Sequence, residues 1–257
     1  SPRSCPITYV KGYDEIRSLL SSTPQAKSLG LKPSHFSFNV AGGRCEECEG
    51  DGEVTIGMQF MADLKLKCDV CDGKRFKDNI LDITYKGKNV YDILMMTVED
   101  ALLFFKPKKG EKSSTTIKKL LEKIQPLYDV GLGYLSLGQG SNTLSGGEAQ
   151  RIKLATFLSR GSKQGHTLFV FDEPTTGLHI HDVSKLLESF EKLLSSGHSI
   201  IVIEHQLDVI ANADYVIDLG PEGGENGGNL VFCGTPKQIA KCKHSLTGKH
   251  LASNFKV

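Results

Sequence analysis

Two short apolar runs, each ending abruptly in charged or polar side chains, most constrain the fold of this 257-residue chain. Residues 168–171 are followed by Asp172 and Glu173, and residues 199–203 by an acidic residue and His205. Apolar runs of this length predict strands buried on both faces, as in parallel α/β sheets. Because open α/β sheets bind ligands at the carboxyl ends of their strands, we expect the acidic pair and the imidazole at one edge.

The residue types at these strand ends are suited to nucleotide hydrolysis. Asp172 can hold Mg²⁺ through its water shell, and Glu173 can orient or deprotonate an attacking water. A neutral imidazole at His205 can hydrogen-bond a γ-phosphate or that water. Taken singly, an acidic turn is often only solvated and a lone histidine is often structural, so the interpretation depends on their order along the chain.

A helix start upstream has the features of an anion site. Ser145 is a good N-cap, and Gly146 and Gly147 leave the first-turn amides accessible. Those amides and the positive end of the helix dipole suit a phosphate. A capped helix after a glycine turn is the alternative interpretation when this segment is considered alone.

These segments together resemble the motifs of ABC-type ATPases. LSGGEAQR resembles their signature, LFVFDEP their Walker B strand, TTGLH the loop that follows, and IVIEH their switch-histidine strand. The resemblance implies an α/β fold, a partial ABC-type ATPase nucleotide-binding domain, in which Asp172 serves the metal, Glu173 the water and His205 the γ-phosphate. It also implies that a signature loop contacts ATP held mainly by a different domain. The residues of that loop are Ser145, Gly146, Gly147 and Glu148.

The segments GEAQR, DEPTTGLH and IEHQLDVI resemble sequences of the UvrA family, the damage-sensing ATPases of bacterial nucleotide excision repair. This resemblance implies that the chain is the C-terminal portion of such a protein, within its second nucleotide-binding domain. The implied partners are damaged double-stranded DNA, a second copy of the full-length protein, and a UvrB-type helicase subunit that docks outside this chain. A UvrA-like paralogue, another ABC-type ATPase such as a transporter motor, and a zinc-stabilised DNA-binding module without ATPase activity are the alternatives.

The sequence contains no GxxxxGK[ST] motif, the loop that grips the β- and γ-phosphates. The family resemblance implies that this loop lies upstream, in a protein several times longer. We therefore expect ATPase activity in the full-length protein and no useful hydrolysis by this chain alone.

Four of the seven cysteines form a cluster with the spacing of a zinc site. Cys45 and Cys48 are separated by 19 residues from Cys68 and Cys71, and each pair is C-x-x-C. Such a pattern predicts a closed, tetrahedral structural Zn²⁺ site. Alternating apolar residues between the pairs predict two strands, hence a hairpin with the metal at its base.

The cysteine module resembles the zinc-bearing insertion of the UvrA family, which is associated with DNA binding. The sequence itself does not indicate DNA contact, because residues 41–90 contain eight Lys or Arg against ten Asp or Glu. A basic face is one interpretation of the module and an ordinary solvated hairpin is the other. The residues of the basic face are Lys65, Lys67, Lys74, Arg75 and Lys77.

The remaining sequence predicts a soluble, cytoplasmic protein without membrane contact, because it contains no span of about 18 apolar residues and no signal peptide. We expect four segments: 1–40 leading into the ATPase domain, 41–90 the zinc module, 91–140 a helical signature region, and 141–257 the ATPase core. Within them, Phe36 and Phe38 alternate as in a strand, Thr97 and Asp100 form a capping box, and Pro126 ends a helix.

Overall fold

The computed structural model of the protein describes residues 3–58, 63–108, 110, 113–159, 165–220 and 227–253. The chain divides into two compact units, Ser1–Gly165 and His166–Val257. The four predicted segments do not nest within these two units, because the segment 141–257 crosses the boundary after Gly165, and they stay a prediction.

The first unit is mainly helical and contains the cysteine module. Its helices are α1 (Pro6–Tyr9), α2 (Tyr13–Ser21), α3 (Pro24–Ser28), α4 (Asp78–Leu81), α5 (Val90–Met95), α6 (Val98–Phe105), α7 (Thr115–Asp129) and α8 (Gly146–Leu158). Short 3-10 helices occur at Pro33–Phe36 and Ser141–Thr143, and strands β1 (Glu53–Ile56) and β2 (Leu64–Lys67) pair antiparallel. Helix α7 packs against α2, α6 and α8, so it forms the centre of this unit.

Helix α7 differs from the sequence prediction at its end. Pro126 was expected to stop the helix, but α7 continues through it to Asp129. Leu127 and Val130 are fully buried, so packing of this last turn compensates for the backbone hydrogen bond that proline removes. The helix start predicted at Thr97 is confirmed, since its hydroxyl accepts a hydrogen bond from the backbone N–H of Asp100 at 3.0 Å. The second half of the predicted capping box is replaced, because the Asp100 carboxylate accepts from the Thr97 hydroxyl at 2.7 Å.

The predicted strand at Phe36 and Phe38 is wrong. Residues Pro33–Phe36 form a 3-10 helix, and both phenylalanines are fully buried. The Phe38 ring stacks on Tyr13 with centroids 4.8 Å apart, and the Tyr13 hydroxyl donates to the Phe36 carbonyl oxygen at 2.6 Å. Phe36 and Phe38 therefore belong to a turn that packs on α2. The alternation of apolar and polar residues alone could not distinguish this turn from a strand.

The second unit is a small α/β arrangement. Its helices are α9 (Ile180–Ser195), α10 (Leu207–Ala211), α11 (Pro236–Ile239) and α12 (Leu246–Ala252). Its strands are β3 (Leu168–Asp172), β4 (Ser199–Ile203), β5 (Val216–Gly220) and β6 (Asn229–Gly234). Strands β3 and β4 are parallel neighbours connected through α9, whereas β5 and β6 form an antiparallel pair with a register shift between Asp218 and Leu219.

The expectation that β3 and β4 are buried on both faces is wrong. One face is covered, because Phe171 contacts Phe190 of α9 with ring centroids 5.0 Å apart. The apolar side chains of the opposite face are 51% to 61% exposed; they are Leu168, Val170, Ile201 and Ile203. Both faces of the β3–β4 pair are apolar, as the sequence predicts, but among the described residues only one face is covered by a helix.

Candidate nucleotide site and metal centre

The carboxyl ends of β3 and β4 bring Glu173 and His205 together. The two strands pair in register from Leu168 with Ser199 to Asp172 with Ile203. The backbone N–H of Glu173 then donates to the Ile203 carbonyl oxygen at 2.9 Å, which extends the pairing by one residue. As a result, His205 Nδ1 lies 3.9 Å from Glu173 Oε1, with both side chains more than half exposed.

Glu173 adopts an unusual backbone conformation at this edge. Its φ is +45°, in the left-handed region that costs a non-glycine residue about 1–3 kcal/mol. The turn that follows holds it there, because the Thr176 N–H donates to the Glu173 carbonyl oxygen at 3.1 Å. Such strain occurs often at functional sites, where surrounding contacts determine a side-chain position that local preference would not select.

Asp172 is the last residue of β3 and is exposed. Side chains alternate along a strand, so Asp172 shares a face with Val170, which is the exposed face of the pair. The two acidic residues are therefore placed differently. Asp172 lies at the end of the exposed sheet face, whereas the left-handed backbone of Glu173 directs its carboxylate toward His205. Their assignment to metal and water stays a prediction.

The signature residues form the start of α8. Ser145 is the N-cap: its hydroxyl accepts from the Glu148 N–H at 3.2 Å, and its own N–H donates to Glu148 Oε2 at 2.8 Å. A Cβ added at Gly146 would meet no atom within 4 Å, and its φ is not positive. Neither conformation nor internal packing thus requires glycine at position 146, whereas close approach of a ligand to the helix end would.

Glu148 is engaged within the protein. Besides capping α8, its carboxylate accepts from the Tyr134 hydroxyl at 2.7 Å, and the fully buried Arg151 donates to that same hydroxyl at 3.4 Å. Burial acts to raise the pKa of Glu148, but the hydrogen bonds from Ser145 and Tyr134 outweigh it and lower the pKa. The structure thus gives Glu148 a role in fixing the helix start, and its predicted contact with nucleotide stays a prediction.

The predicted nucleotide residues are divided between the two units. The signature residues 145–148 belong to the first unit, while Asp172, Glu173 and His205 belong to the second. The contact of the signature residues with ATP held mainly by a different domain, and the roles of the three strand-end residues, stay predictions.

The end of β4 contains a further functional candidate whose role the sequence analysis missed. One oxygen of the Glu204 carboxylate accepts from the backbone N–H and the hydroxyl of Thr175, at 2.9 and 2.5 Å. Its other oxygen accepts from the backbone N–H groups of His205 and Gln206, at 3.0 and 3.2 Å. The only signal in the sequence was a carboxylate immediately before the histidine at a strand end.

The four clustered cysteines form a candidate metal site in the first unit. Their sulfur atoms all lie within 4.8 Å of one another, with Cys45 Sγ 3.9 Å from Cys68 Sγ and Cys48 Sγ 3.6 Å from Cys71 Sγ. A tetrahedral Zn²⁺ with Zn–S bonds of about 2.3 Å sets sulfur atoms about 3.8 Å apart, close to these distances. All four thiols are free and buried, so the donor set fits a closed structural zinc site.

Strands β1 and β2 form the predicted hairpin between the two cysteine pairs. They pair antiparallel from Glu53 with Lys67 to Ile56 with Leu64, and Val54 packs against the cysteine cluster. The hairpin prediction is confirmed. Strand β2 contains both residues predicted for it, Leu64 and Leu66, whereas β1 ends at Ile56, before the predicted Met58, and the predicted Phe60 lies outside the described residues.

Backbone amides around the thiols shape their acidity. Burial raises the pKa of Cys71 to about 12 and also raises the pKa of Cys48. Burial acts in the same direction on Cys68, but hydrogen bonds from the N–H groups of Cys71 and Val70 outweigh it and lower the pKa of Cys68. Thiols with raised pKa keep their protons at neutral pH until a metal ion replaces them.

Two of the five residues of the predicted basic face are paired with acidic residues next to the cysteines. Lys67 pairs with Asp72, and Lys77 Nζ lies 2.5 Å from Glu46 Oε1. The Arg75 guanidinium lies over the Phe38 ring at 5.6 Å from its centroid. These contacts engage three of the five residues, and two of the five charges are balanced by a carboxylate, so the hairpin is partly neutralised.

The turns after each cysteine pair use left-handed residues. Gly50 has φ +87°, and a Cβ added there would lie 2.2 Å from the Phe38 carbonyl oxygen. Gly30, which lies outside the cysteine module, also has a positive φ, of +64°, but a Cβ added there would meet no atom within 4 Å. We therefore expect Gly50→Ala to destabilise the protein by about 1–3 kcal/mol more than Gly30→Ala, because only the first adds a clash to the backbone strain. Chemical denaturation of both variants measures the difference, and equal costs would contradict the close approach.

The chain is similar to bacterial proteins about four times its length. It is 54% identical over 251 residues to UvrABC system protein A of Clostridium perfringens, covering 98% of this chain and 26% of that protein. It is 53% identical over 251 residues to UvrABC system protein A of Rickettsia prowazekii, covering 98% of this chain and 25% of that protein. No protein-family model matches the chain.

A solved structure gives the same result for the fold. The crystal structure of UvrA2 from Deinococcus radiodurans superposes with a TM-score of 0.83 at 44% identity, covering 98% of this chain and 30% of that one. Among the described residues, no helix is both long and apolar enough to cross a membrane.

Proposed function

We propose that this chain, which belongs to the UvrA family and spans about a quarter of its curated relatives, supplies the hydrolytic strand ends and a signature helix of ATP sites in a longer ATPase. The observation that carries the proposal is the approach of Glu173 and His205 at the ends of two parallel strands, 3.9 Å apart. A carboxylate beside an imidazole at this edge suits the activation of water next to a γ-phosphate.

Each residue has a separate part in the proposed reaction. Glu173 orients the attacking water and accepts its proton, and His205 hydrogen-bonds the γ-phosphate. Asp172 would hold Mg²⁺ through its water shell, and the metal would supply positive charge to the phosphate oxygens. Ser145 and the amides of Gly146 and Gly147 contact ATP bound mainly by a different domain, since a helix N-terminus favours a phosphate.

The cysteine centre has a structural role in this proposal. Cys45, Cys48, Cys68 and Cys71 would hold Zn²⁺, which supplies a rigid tetrahedral link between the two knuckles and the hairpin. The family resemblance implies that the hairpin contacts DNA, and its exposed side chains make such a contact accessible. Because two of the five residues of its predicted basic face are paired with carboxylates, that contact would depend on shape and hydrogen bonding as well as on charge.

The biological role follows from the family. We infer that the full-length protein recognises damaged double-stranded DNA in the cytoplasm, acts as a homodimer, and loads a UvrB-type helicase subunit. ATP binding and hydrolysis would drive these steps. The chain by itself contains no phosphate loop, so we expect it to hydrolyse no ATP at a useful rate.

A test of the signature helix uses Gly146→Asp in the full-length protein. The new carboxylate faces the position proposed for a phosphate, so we expect hydrolysis to fall by at least about tenfold, equivalent to 1.4 kcal/mol. Gly146→Ala controls for folding, because its methyl group meets nothing within 4 Å in this chain, and it should lower hydrolysis less than Gly146→Asp because it adds bulk without charge. Steady-state hydrolysis and thermal unfolding should be measured on both variants. Normal hydrolysis by a folded Gly146→Asp variant would exclude nucleotide contact at this helix end.

A further inference from the structure

The carboxylate of Glu204 connects the two segments that carry Glu173 and His205. Thr175 lies two residues after Glu173, and Glu204 immediately precedes His205. Two bonds from Thr175 reach one carboxylate oxygen, and the N–H groups of His205 and Gln206 reach the other. A single half-buried side chain therefore accepts four hydrogen bonds, divided equally between the two segments.

This connection acts together with the strand pairing. The Glu173 N–H donates to the Ile203 carbonyl oxygen at 2.9 Å, so the segments 173–175 and 203–206 are joined at two successive points. The first junction fixes the backbone of Glu173 and the second fixes the loop that begins at His205. Both functional side chains are more than half exposed, so their separation depends on these backbone and turn contacts more than on side-chain packing.

A carboxylate is chemically specific for this position. All four of its partners are donors, and an ionised carboxylate accepts at both oxygens while donating nothing. A glutamine would satisfy one segment with its carbonyl oxygen and place its NH₂ group against the other, where it meets either two N–H groups or the N–H and hydroxyl of Thr175. The Thr175 hydroxyl can turn to accept from that NH₂ group, but every backbone N–H on the NH₂ side loses its acceptor, so the isosteric change from Glu204 to Gln weakens the connection whichever way the amide turns.

We propose that Glu204 is a positioning residue that holds Glu173 and His205 in the relative arrangement needed for ATP hydrolysis. The inference rests on the proposed function of this site. Glu204 does not touch the reacting atoms; it acts through Thr175 on the turn after Glu173 and through the backbone of His205. Displacement of a reacting group by about 1 Å can lower a rate by about 10²-fold, so breaking the connection slows turnover while ATP binding, which depends mainly on other segments, persists.

The experiment measures kcat and ATP affinity of full-length variants in a background whose other ATP site is disabled. For Glu204→Gln we expect kcat to fall about 10- to 100-fold, with ATP affinity changed by less than about twofold. Thr175→Val removes only the hydroxyl and should lower kcat by a few fold, whereas Thr175→Ser keeps the hydroxyl and should retain nearly normal kcat. In the Glu204→Gln background, Thr175→Val should have little further effect, because both changes break the same connection.

The outcomes separate this inference from the proposed function. If Glu173→Gln abolishes hydrolysis but Glu204→Gln and Thr175→Val leave kcat unchanged, the positioning role is wrong and the function stands. If Glu173→Gln itself leaves hydrolysis unchanged, the proposed function fails. Effects of Thr175→Val and Glu204→Gln that multiply independently would also overturn the positioning role. Should Glu204→Gln fail to fold, the comparison of Thr175→Val with Thr175→Ser still decides the question.

Discussion

Replacing Glu173 with Gln in the full-length protein is expected to reduce ATP hydrolysis at this site by about 10²- to 10⁴-fold, the usual contribution of a general base. Gln has nearly the same size and shape as Glu, so the backbone at this position can keep its left-handed conformation, with φ +45°. What is lost is the ability to accept a proton from water. ATP binding should persist, because the change removes no group assigned to the nucleotide.

Steady-state hydrolysis in a background with the other ATP site disabled tests this expectation, together with equilibrium ATP binding. The matched control is Glu191→Gln, the same chemical change at an exposed position of α9. Glu191→Gln should leave both quantities unchanged. Hydrolysis by Glu173→Gln at the control rate would show that water activation depends on another group.

The sequence predicted the strand-end cluster because its rule is topological. Two apolar runs separated by a helical segment imply parallel neighbours, and parallel neighbours present their carboxyl ends at one edge. The approach of Glu173 to His205 follows from that rule with no knowledge of packing. In the same way, the spacing of the four cysteines sufficed to predict that their sulfur atoms would converge.

Other features depended on contacts between distant segments, which a local pattern does not contain. The four bonds of Glu204 require the turn at Thr175 and the loop at His205 to meet. The continuation of α7 through Pro126 depends on burial of Leu127. The exposure of one face of β3 and β4 also could not be predicted locally. Apolar composition indicates which surfaces favour burial, but not which of them are covered by another element.

Removal of one zinc ligand is the second change with a large expected effect. Zn²⁺ binding to a site of four thiolates contributes on the order of 10 kcal/mol to ordering a small module. In the cysteine module the two strands are only four residues each, and the side chains of β2 are exposed. The hairpin therefore has little apolar core apart from Val54 and the cysteines themselves. We expect Cys71→Ser to lose bound zinc and to unfold residues 44–77 locally.

Elemental analysis should give about one zinc per chain for the unaltered protein and much less than one for Cys71→Ser, because each site needs its complete set of thiolates. Amide hydrogen exchange should show lost protection across the hairpin and retained protection in α9, which belongs to the other unit. Cys233→Ser is the matched control, since Cys233 is an exposed free thiol far along the chain from the cluster, and it should keep its zinc. Full zinc occupancy in Cys71→Ser, or a carefully prepared unaltered protein without zinc, would contradict a structural metal centre, and the convergence of the four thiols would then need a different explanation.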